Sequence, residues 1–237
     1  MVLNIDRCVD CKACVIACKA EWNVPEGYSR DWVKEIGPVG EFPNLKSAVY
    51  PGLCMHCEDP PCIKVCPSGA TYKDEKGRVL VDQELCIGCG YCADACPYGA
   101  RYIHPDLGVV DKCTFCQPRV DAGLEPACVE TCIAEARIFG DLDDPDSEVY
   151  RLVYKEGAVP LHRGEVNYGA SVFYMGEKEQ VELLLEKAPL RKTRFSTAGT
   201  VWRIFRPLLG VAAGLSFLGV TVAAIYQLIK GEPKIEE

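Results

Sequence analysis

The sequence predicts an α+β fold: two interlocked units with long loops, followed by one C-terminal transmembrane helix. Three observations predict it. Sixteen cysteines fall in four groups of four, with none left over. Pro67-Ser-Gly-Ala70, after the second group, returns after the third as Pro97-Tyr-Gly-Ala100, an internal repeat of loop, helix, proline, turn and strand. From Pro207 to Ile229 the chain runs 23 residues without a charge.

The third group, Cys86-Ile-Gly-Cys89-Gly-Tyr-Cys92-Ala-Asp-Ala-Cys96-Pro97, has the spacing C-x2-C-x2-C-x3-C-P. That run of thiolates holds iron–sulfur clusters in bacterial ferredoxins. Three cysteines wrap one cubane on a tight loop, and the fourth, carried off on the next helix, ligates a neighbouring cluster. One such motif therefore requires a partner. The first group, Cys8-Val-Asp-Cys11-Lys-Ala-Cys14-Val-Ile-Ala-Cys18-Lys19, repeats the spacing with Lys19 in place of the proline, and Val15 to Ala20 reads as a short helix. Trp22 and Trp32 follow in a polar connection through Pro43, where packing is favoured over shielding of a cluster.

The second group, Cys54-Met-His-Cys57-Glu-Asp-Pro-Pro-Cys62-Ile-Lys-Val-Cys66-Pro67, gains two residues but loses no ligand, so His56 is expected to hydrogen-bond or pack rather than bind iron. Gly77-Arg-Val-Leu-Val-Asp82 reads as a strand. The fourth group, Cys113, Cys116, Cys128 and Cys132, carries an eleven-residue insertion and still ends in C-x3-C.

Exchange of the last cysteine between paired groups gives four [4Fe-4S] clusters. Cys8, Cys11, Cys14 and Cys132 hold the first; Cys18, Cys113, Cys116 and Cys128 the second. Cys54, Cys57, Cys62 and Cys96 hold the third; Cys66, Cys86, Cys89 and Cys92 the fourth. All sixteen cysteines are thus iron ligands. Residues 48–112 make an inner ferredoxin-like unit, and 1–47 with 113–140 an outer one, within a domain of 1–175. A helix and linker (176–200), an anchor (201–230) and a polar tail (231–237) follow.

Eight disulfides are the bland alternative, but neighbours two residues apart bridge one another poorly. Zinc in a structural module is the stronger rival, though C-x2-C-x2-C is unusual for it. The net charge of −8 argues against a nucleic-acid partner. With Cys8 already a ligand, no room for a signal peptide is expected, so the chain either stays in the cytoplasm or is exported folded beside a partner carrying the signal. Asp141-Leu-Asp-Asp-Pro-Asp146 lacks the glycine and glutamate of a calcium loop and reads as a solvated turn, and Glu177 to Lys187 as an amphipathic helix.

Residues 207–229, at about 1.5 Å each, are long enough to cross a bilayer core of roughly 30 Å and contact lipid. Gly210 and Gly214 form a GxxxG that favours a second membrane helix. Arg191, Lys192, Arg194, Arg203 and Arg206 precede the span, and Lys230 and Lys234 follow it, so the charge count keeps the cluster domain in the cytoplasm.

No phosphate loop, nucleophile elbow or acid/base pair is present, and no cysteine is left over as a nucleophile. The expected role is non-catalytic electron transfer. The four groups, with Cys54-Met-His-Cys57-Glu-Asp-Pro-Pro-Cys62 and Lys112-Cys-Thr-Phe-Cys116, resemble the four-cluster electron-transfer subunits of the molybdopterin oxidoreductases. Glu41-Phe-Pro-Asn-Leu45, Pro126-Ala-Cys-Val-Glu-Thr-Cys132 and Phe139-Gly-Asp-Leu-Asp-Asp-Pro145 bring it nearest the polysulfide reductase type, over about residues 1 to 175. Ile133 stands where those proteins usually have proline, and the C-terminal span looks more like the anchor of a membrane formate dehydrogenase iron–sulfur chain.

The resemblance implies a relay between a molybdenum- or tungsten-pterin catalytic subunit and an integral-membrane quinone-reactive subunit of an anaerobic respiratory complex. It implies that the cluster on Cys8, Cys11, Cys14 and Cys132 faces the catalytic subunit, and the one on Cys66, Cys86, Cys89 and Cys92 the quinone. It also implies the outer, periplasmic face of the cell membrane, against the charge count. The alternative is the same wire in a membrane hydrogenase or another cytochrome-linked complex.

Overall fold

Mostly two- and three-residue strands and helices of one to three turns carry this chain, and the cysteine loops break it up between Cys8 and Cys18 and between Cys54 and Cys132. The computed structural model describes residues 1–164 and 166–191. In chain order these form β1 (Val2–Asn4), α1 (Ala13–Trp22), β2 (Asp31–Val39), β3 (Lys46–Leu53), α2 (Pro61–Lys64), β4 (Thr71–Lys73), β5 (Val79–Val81), α3 (Tyr91–Asp94), β6 (Tyr102–Ile103), β7 (Val110–Asp111), α4 (Gln117–Asp121), α5 (Ala127–Glu130), β8 (Arg137–Ile138), α6 (Glu148–Tyr154), β9 (Val159–Pro160), β10 (Phe173–Met175) and α7 (Lys178–Lys187). The fold is mixed α/β.

One sheet closes the chain on itself. Its order is β8-β1-β10-β9. β1 lies parallel to β10, with Val2 opposite Phe173, and antiparallel to β8, with Val2 opposite Ile138. Val2 and Leu3 are both fully buried because β1 is apolar on both faces. Val2 meets Val149 and Leu152 of α6, while Leu3 joins the main core with Tyr50, Leu53, Met55, Val172, Tyr174 and Leu184. Tyr174 is buried completely, and its hydroxyl finds an acceptor in the Pro51 carbonyl at 3.0 Å.

The internal repeat takes shape as two helix-plus-hairpin units. α2 is followed by the β4–β5 hairpin, with Thr71 opposite Val81, and α3 by β6–β7, with Tyr102 opposite Asp111. Each helix is a single turn, and Pro67 and Pro97 stand just beyond their ends. Lys19 imposes no such stop, and α1 runs on through Trp22, longer than the helix expected over 15–20.

The polar connection through Pro43 contains β2, which pairs with β3 beyond it as an antiparallel hairpin, with Asp31 opposite Leu53. Pro38, Gly37 and a bulge between Ile36 and Val39 mask its alternation, but Val33, Ile36, Ala48 and Tyr50 anchor it in the core. The helix expected over 177–187 forms as α7 and packs on β3 and β2, and the described residues fall in one compact unit. The segment 141–146 is the expected turn, with the Asp143 amide donating to Asp141 Oδ1 at 2.9 Å and the Asp146 amide to Asp144 Oδ1 at 3.0 Å.

Among the described residues no helix is long and apolar enough to cross a membrane. The span expected over 207–229, its GxxxG and the charges from Lys192 onward lie outside the described residues.

Candidate metal centre

The loops that present the cysteines share a backbone device. Between Cys8 and Cys14 the left-handed residues are Asp10 (φ 52°) and Lys12 (φ 58°). Between Cys86 and Cys92 they are Gly88 (φ 67°) and Gly90 (φ 75°), at the same two positions of the motif. Alternating right- and left-handed residues turn successive amides to one side, the concavity that receives anions and iron–sulfur centres. Glycine is obligatory at Gly88, where a Cβ would run into the Gly108 carbonyl oxygen. Phe115 (φ 54°) and Cys116 (φ 50°) make a related turn in the fourth group.

These loops bring the cysteines expected in two of the sets round cavities. Cys8, Cys11, Cys14 and Cys132 line one cavity, with Arg137 in its wall. Cys18, Cys113, Cys116 and Cys128 line a second, with Trp22, Arg30 and Thr114. Cys57 lies in electrostatic range of Cys54, Cys62 and Cys96. Of the four cysteines expected in the remaining set, Cys92 and Cys86 come together where α2 packs on α3, in an apolar knot with Cys62, Val79 and Val110. Cys66 follows α2, and Cys89 is exposed on the loop before α3.

Exposure divides the sets sharply. All eight cysteines of the second and third sets are buried. In the first set Cys11 is exposed and Cys8 and Cys132 half-buried; in the fourth Cys89 is exposed and Cys66 and Cys86 half-buried. Burial pushes the Cys14 and Cys62 thiols up, each to about 11, and Arg137 and Arg101 respectively pull them back. In the absence of iron such thiols keep their protons, so loading the site releases them.

Buried polar atoms left without a protein partner test whether the sites suit [4Fe-4S] groups. Arg137 Nη1 belongs to the wall of the first cavity, and Arg30 Nη1 and Thr114 Oγ1 to that of the second. Donors otherwise orphaned beside four thiols suit a sulfur-rich anionic group, whose sulfurs accept hydrogen bonds. Other donors already reach cysteine sulfur. Trp22 Nε1 donates to Cys116 Sγ at 3.3 Å, the Ala136 amide to Cys132 Sγ at 3.3 Å, and Arg101 Nη2 to Cys62 Sγ at 3.0 Å. Among the described residues, no three His, Cys, Asp or Glu side chains converge as one metal ion would need. Four thiols spread round a cavity suit a cluster whose irons each take one thiolate. The residues fit.

Trp22 therefore sits in the site, the less favoured of its two readings. Trp32 does pack, edge-on to Tyr50 at 6.2 Å, and Gly52 gives its indole room. His56 is fully buried. Its Nδ1 accepts the Val79 amide at 3.0 Å, its ring stacks on Phe115 at 3.7 Å, and burial drives its pKa well down, leaving it neutral. Arg30, Arg101 and Arg137 are not among the partners of the thiols expected from the sequence, and Lys112 enters there only as part of the Lys112-Cys-Thr-Phe-Cys116 motif. Arg101 and Arg137 each stand five residues after the last cysteine of their group, Cys96 and Cys132, and Lys112 directly precedes Cys113, a spacing that could have pointed to them.

A small α/β chain with ferredoxin-like loops that gather thiols round cavities lined by unpaired donors is an iron–sulfur protein. Residues 45–142 match the 4Fe-4S dicluster domain family. A tetrathionate reductase subunit of Salmonella typhimurium is 40% identical over 178 residues, covering 74% of this chain and 71% of that one. The thiosulfate reductase electron transfer subunit PhsB of Salmonella typhi is 46% identical over 173 residues, 69% of this chain and 90% of that one. A sulfite dehydrogenase subunit of Allochromatium vinosum is 43% identical over 184 residues, 68% of this chain and 76% of that one. The chain belongs to the iron–sulfur electron-transfer subunits of the molybdopterin oxidoreductase family.

Proposed function

We propose that this chain holds four [4Fe-4S] clusters on its sixteen cysteines, in the four sets described, and passes electrons along them without catalysing a reaction itself. The observation that carries the reading is the exposure pattern. Two sets are buried entirely, and the other two each reach the surface through one exposed ligand, Cys11 and Cys89. A wire needs that arrangement: shielded centres in the middle and an accessible one at each end. The clusters supply one-electron carriage; the chain's own residues hold them in order, exclude water and donate to their sulfurs.

The ends differ. Between its cysteines, the Cys8–Cys14 loop carries Asp10 and Lys12, whereas the Cys86–Cys92 loop carries only Ile87, two glycines and Tyr91. Leu85, Ile87, Ile103 and Leu107 are exposed round the second; Val9, Ile16 and Ile133 are exposed round the first, so the charged pair is what sets the two loops apart. The uncharged end suits an integral-membrane, quinone-reactive subunit; the charged end suits a molybdopterin catalytic subunit in anaerobic respiration. Residues 207–229 would anchor the chain in the bilayer with the cluster domain outside, two interlocked ferredoxin-like units within it. Relatives named as tetrathionate and thiosulfate reductase subunits support the catalytic partner, and sulfur oxyanions are the substrate class they point to.

Anaerobic purification in mild detergent, with iron analysis and mass spectrometry of what copurifies, tests this. A molybdopterin subunit, a multi-span membrane protein and iron for four clusters are expected. A hydrogenase large subunit in place of the first would overturn the partner, and iron for fewer clusters the ligand sets. Protease added to intact spheroplasts should cleave the cluster domain if it lies outside.

A further inference from the structure

A buried cation stands at each junction between successive thiol sets. Arg137 is 4% exposed and lies in range of Cys8 and Cys14 on one side and Cys128 on the other. Lys112 is 1% exposed, between Cys113 of the second set and Cys54 and Cys62 of the third. Arg101 is 6% exposed, between Cys54, Cys62 and Cys96 of the third set and Cys92 of the fourth.

The three differ in what balances them. Arg137 donates Nη2 to Asp31 Oδ1 at 2.8 Å, a pair buried on both sides. Lys112 donates to two carbonyls, of Val79 and of Cys113, the latter at 2.6 Å. Arg101 donates Nη1 to Thr71 Oγ1 at 3.1 Å and Nη2 to Cys62 Sγ at 3.0 Å. Neither Lys112 nor Arg101 pairs with a carboxylate among the described residues. A buried cation without a counter-charge is strongly destabilising. Among the described residues the anions in reach of these two are thiolates, and a cluster they hold carries net negative charge that grows by one on reduction. A fixed positive charge beside it stabilises the reduced form more than the oxidised form.

We propose that Lys112 and Arg101 are redox-tuning residues. Each raises the reduction potential of the two clusters it stands between, and both act on the one held by Cys54, Cys57, Cys62 and Cys96. The inference rests on the ligand sets proposed for the four clusters.

The test is an anaerobic, EPR-monitored redox titration of the full chain with its copurifying partners, with iron counted in every sample. Cys57→Ser and Cys89→Ser identify the signals of the third and fourth sets. Arg101→Met should lower the third and fourth potentials by about 59 mV each, a tenfold fall in the one-electron equilibrium constant. Lys112→Met should lower the second and third, and neither should move the first. Arg101→Lys keeps the charge and should restore most of the shift, which a packing role would not predict. If Lys112→Met fails to fold, the two Arg101 variants decide the matter. Full iron with unmoved potentials, or an equal shift in all four, overturns the inference and leaves the ligand sets standing. Iron for fewer than four clusters in the unaltered chain overturns the ligand sets and the inference with them.

Discussion

Removing the Asp111 carboxylate should destabilise the chain by breaking a buried, two-pronged ion pair that ties β7 to the segment before β2. Arg30 donates to Asp111 through Nε at 2.8 Å and through Nη2 at 2.6 Å, and the Tyr102 hydroxyl donates to the same carboxylate. Side-chain exposures are only 8% for Arg30 and 5% for Asp111. Asp111→Ala leaves the guanidinium buried and unpaired, a change that costs about 3–5 kcal/mol. At roughly 2–4 °C per kcal/mol for a chain of this size, thermal unfolding should fall by about 6–20 °C. Unfolding of a cluster protein is irreversible, so the comparison is made at one scan rate, following far-UV circular dichroism and visible bleaching together. The double variant Arg30→Met/Asp111→Leu removes both charges and should regain most of the loss. A shift of less than about 2 °C in the single variant, with iron intact, would refute the reasoning. It would mean that Arg30 is balanced from the side of Cys18, with which it also interacts.

Gly88→Ala should empty the fourth set while the chain stays folded, because the new Cβ meets a backbone oxygen that cannot rotate away. Gly108→Ala is the control, since it shares the left-handed φ (66°) but has open space around its Cβ; full iron in the Gly88 variant would contradict the placement. Limited oxidation should release iron in two phases, since only the first and fourth sets have exposed ligands; a single phase would count against shielding of the middle sets. Arg78 and Lys76 hold the Asp121 carboxyl down at about 2. The folded value lies below the unfolded one, so this contribution is complete above about pH 4 and is lost as pH falls through the folded value. Asp121→Asn should therefore show a stability deficit that is flat from about pH 5 to 8, and a deficit that varies across that range would dismiss the contact.

Cysteine spacing made the iron–sulfur family readable because ligand geometry leaves so little freedom: three thiols on one cluster must come from a tight loop. Pro67 and Pro97 likewise marked the ends of α2 and α3 in plain view. The sheet that closes the chain was not legible. β1, β8, β9 and β10 are two or three residues each, too short for any period to register, and their pairing is decided by burial of Val2, Leu3 and Tyr174. The β2–β3 hairpin was hidden by Gly37 and Pro38, residues that ordinarily argue against a strand. The buried cations were missed for a different reason. Arg101 looks like any arginine after a turn until the fold brings Cys62, 39 residues away, to its guanidinium.

The first and third groups show one backbone solution reached with different side chains. Gly88 and Gly90 adopt their left-handed angles freely, whereas Asp10 and Lys12 adopt the same angles at about 1–2 kcal/mol each. That cost is unexplained by the fold of the loop itself, since glycine would serve equally. The Lys12 ammonium meets the Asp10 carboxylate at 3.2 Å, with Lys12 more than half exposed, so the pair offsets little of it. What the two residues add is charge beside an exposed ligand, where the loop between Cys86 and Cys92 has none. A relay whose ends were alike could dock either way round. In the proposed relay, distinct charge on a common backbone would let each end accept one partner and refuse the other, because like-charge or desolvated contacts penalise the wrong orientation.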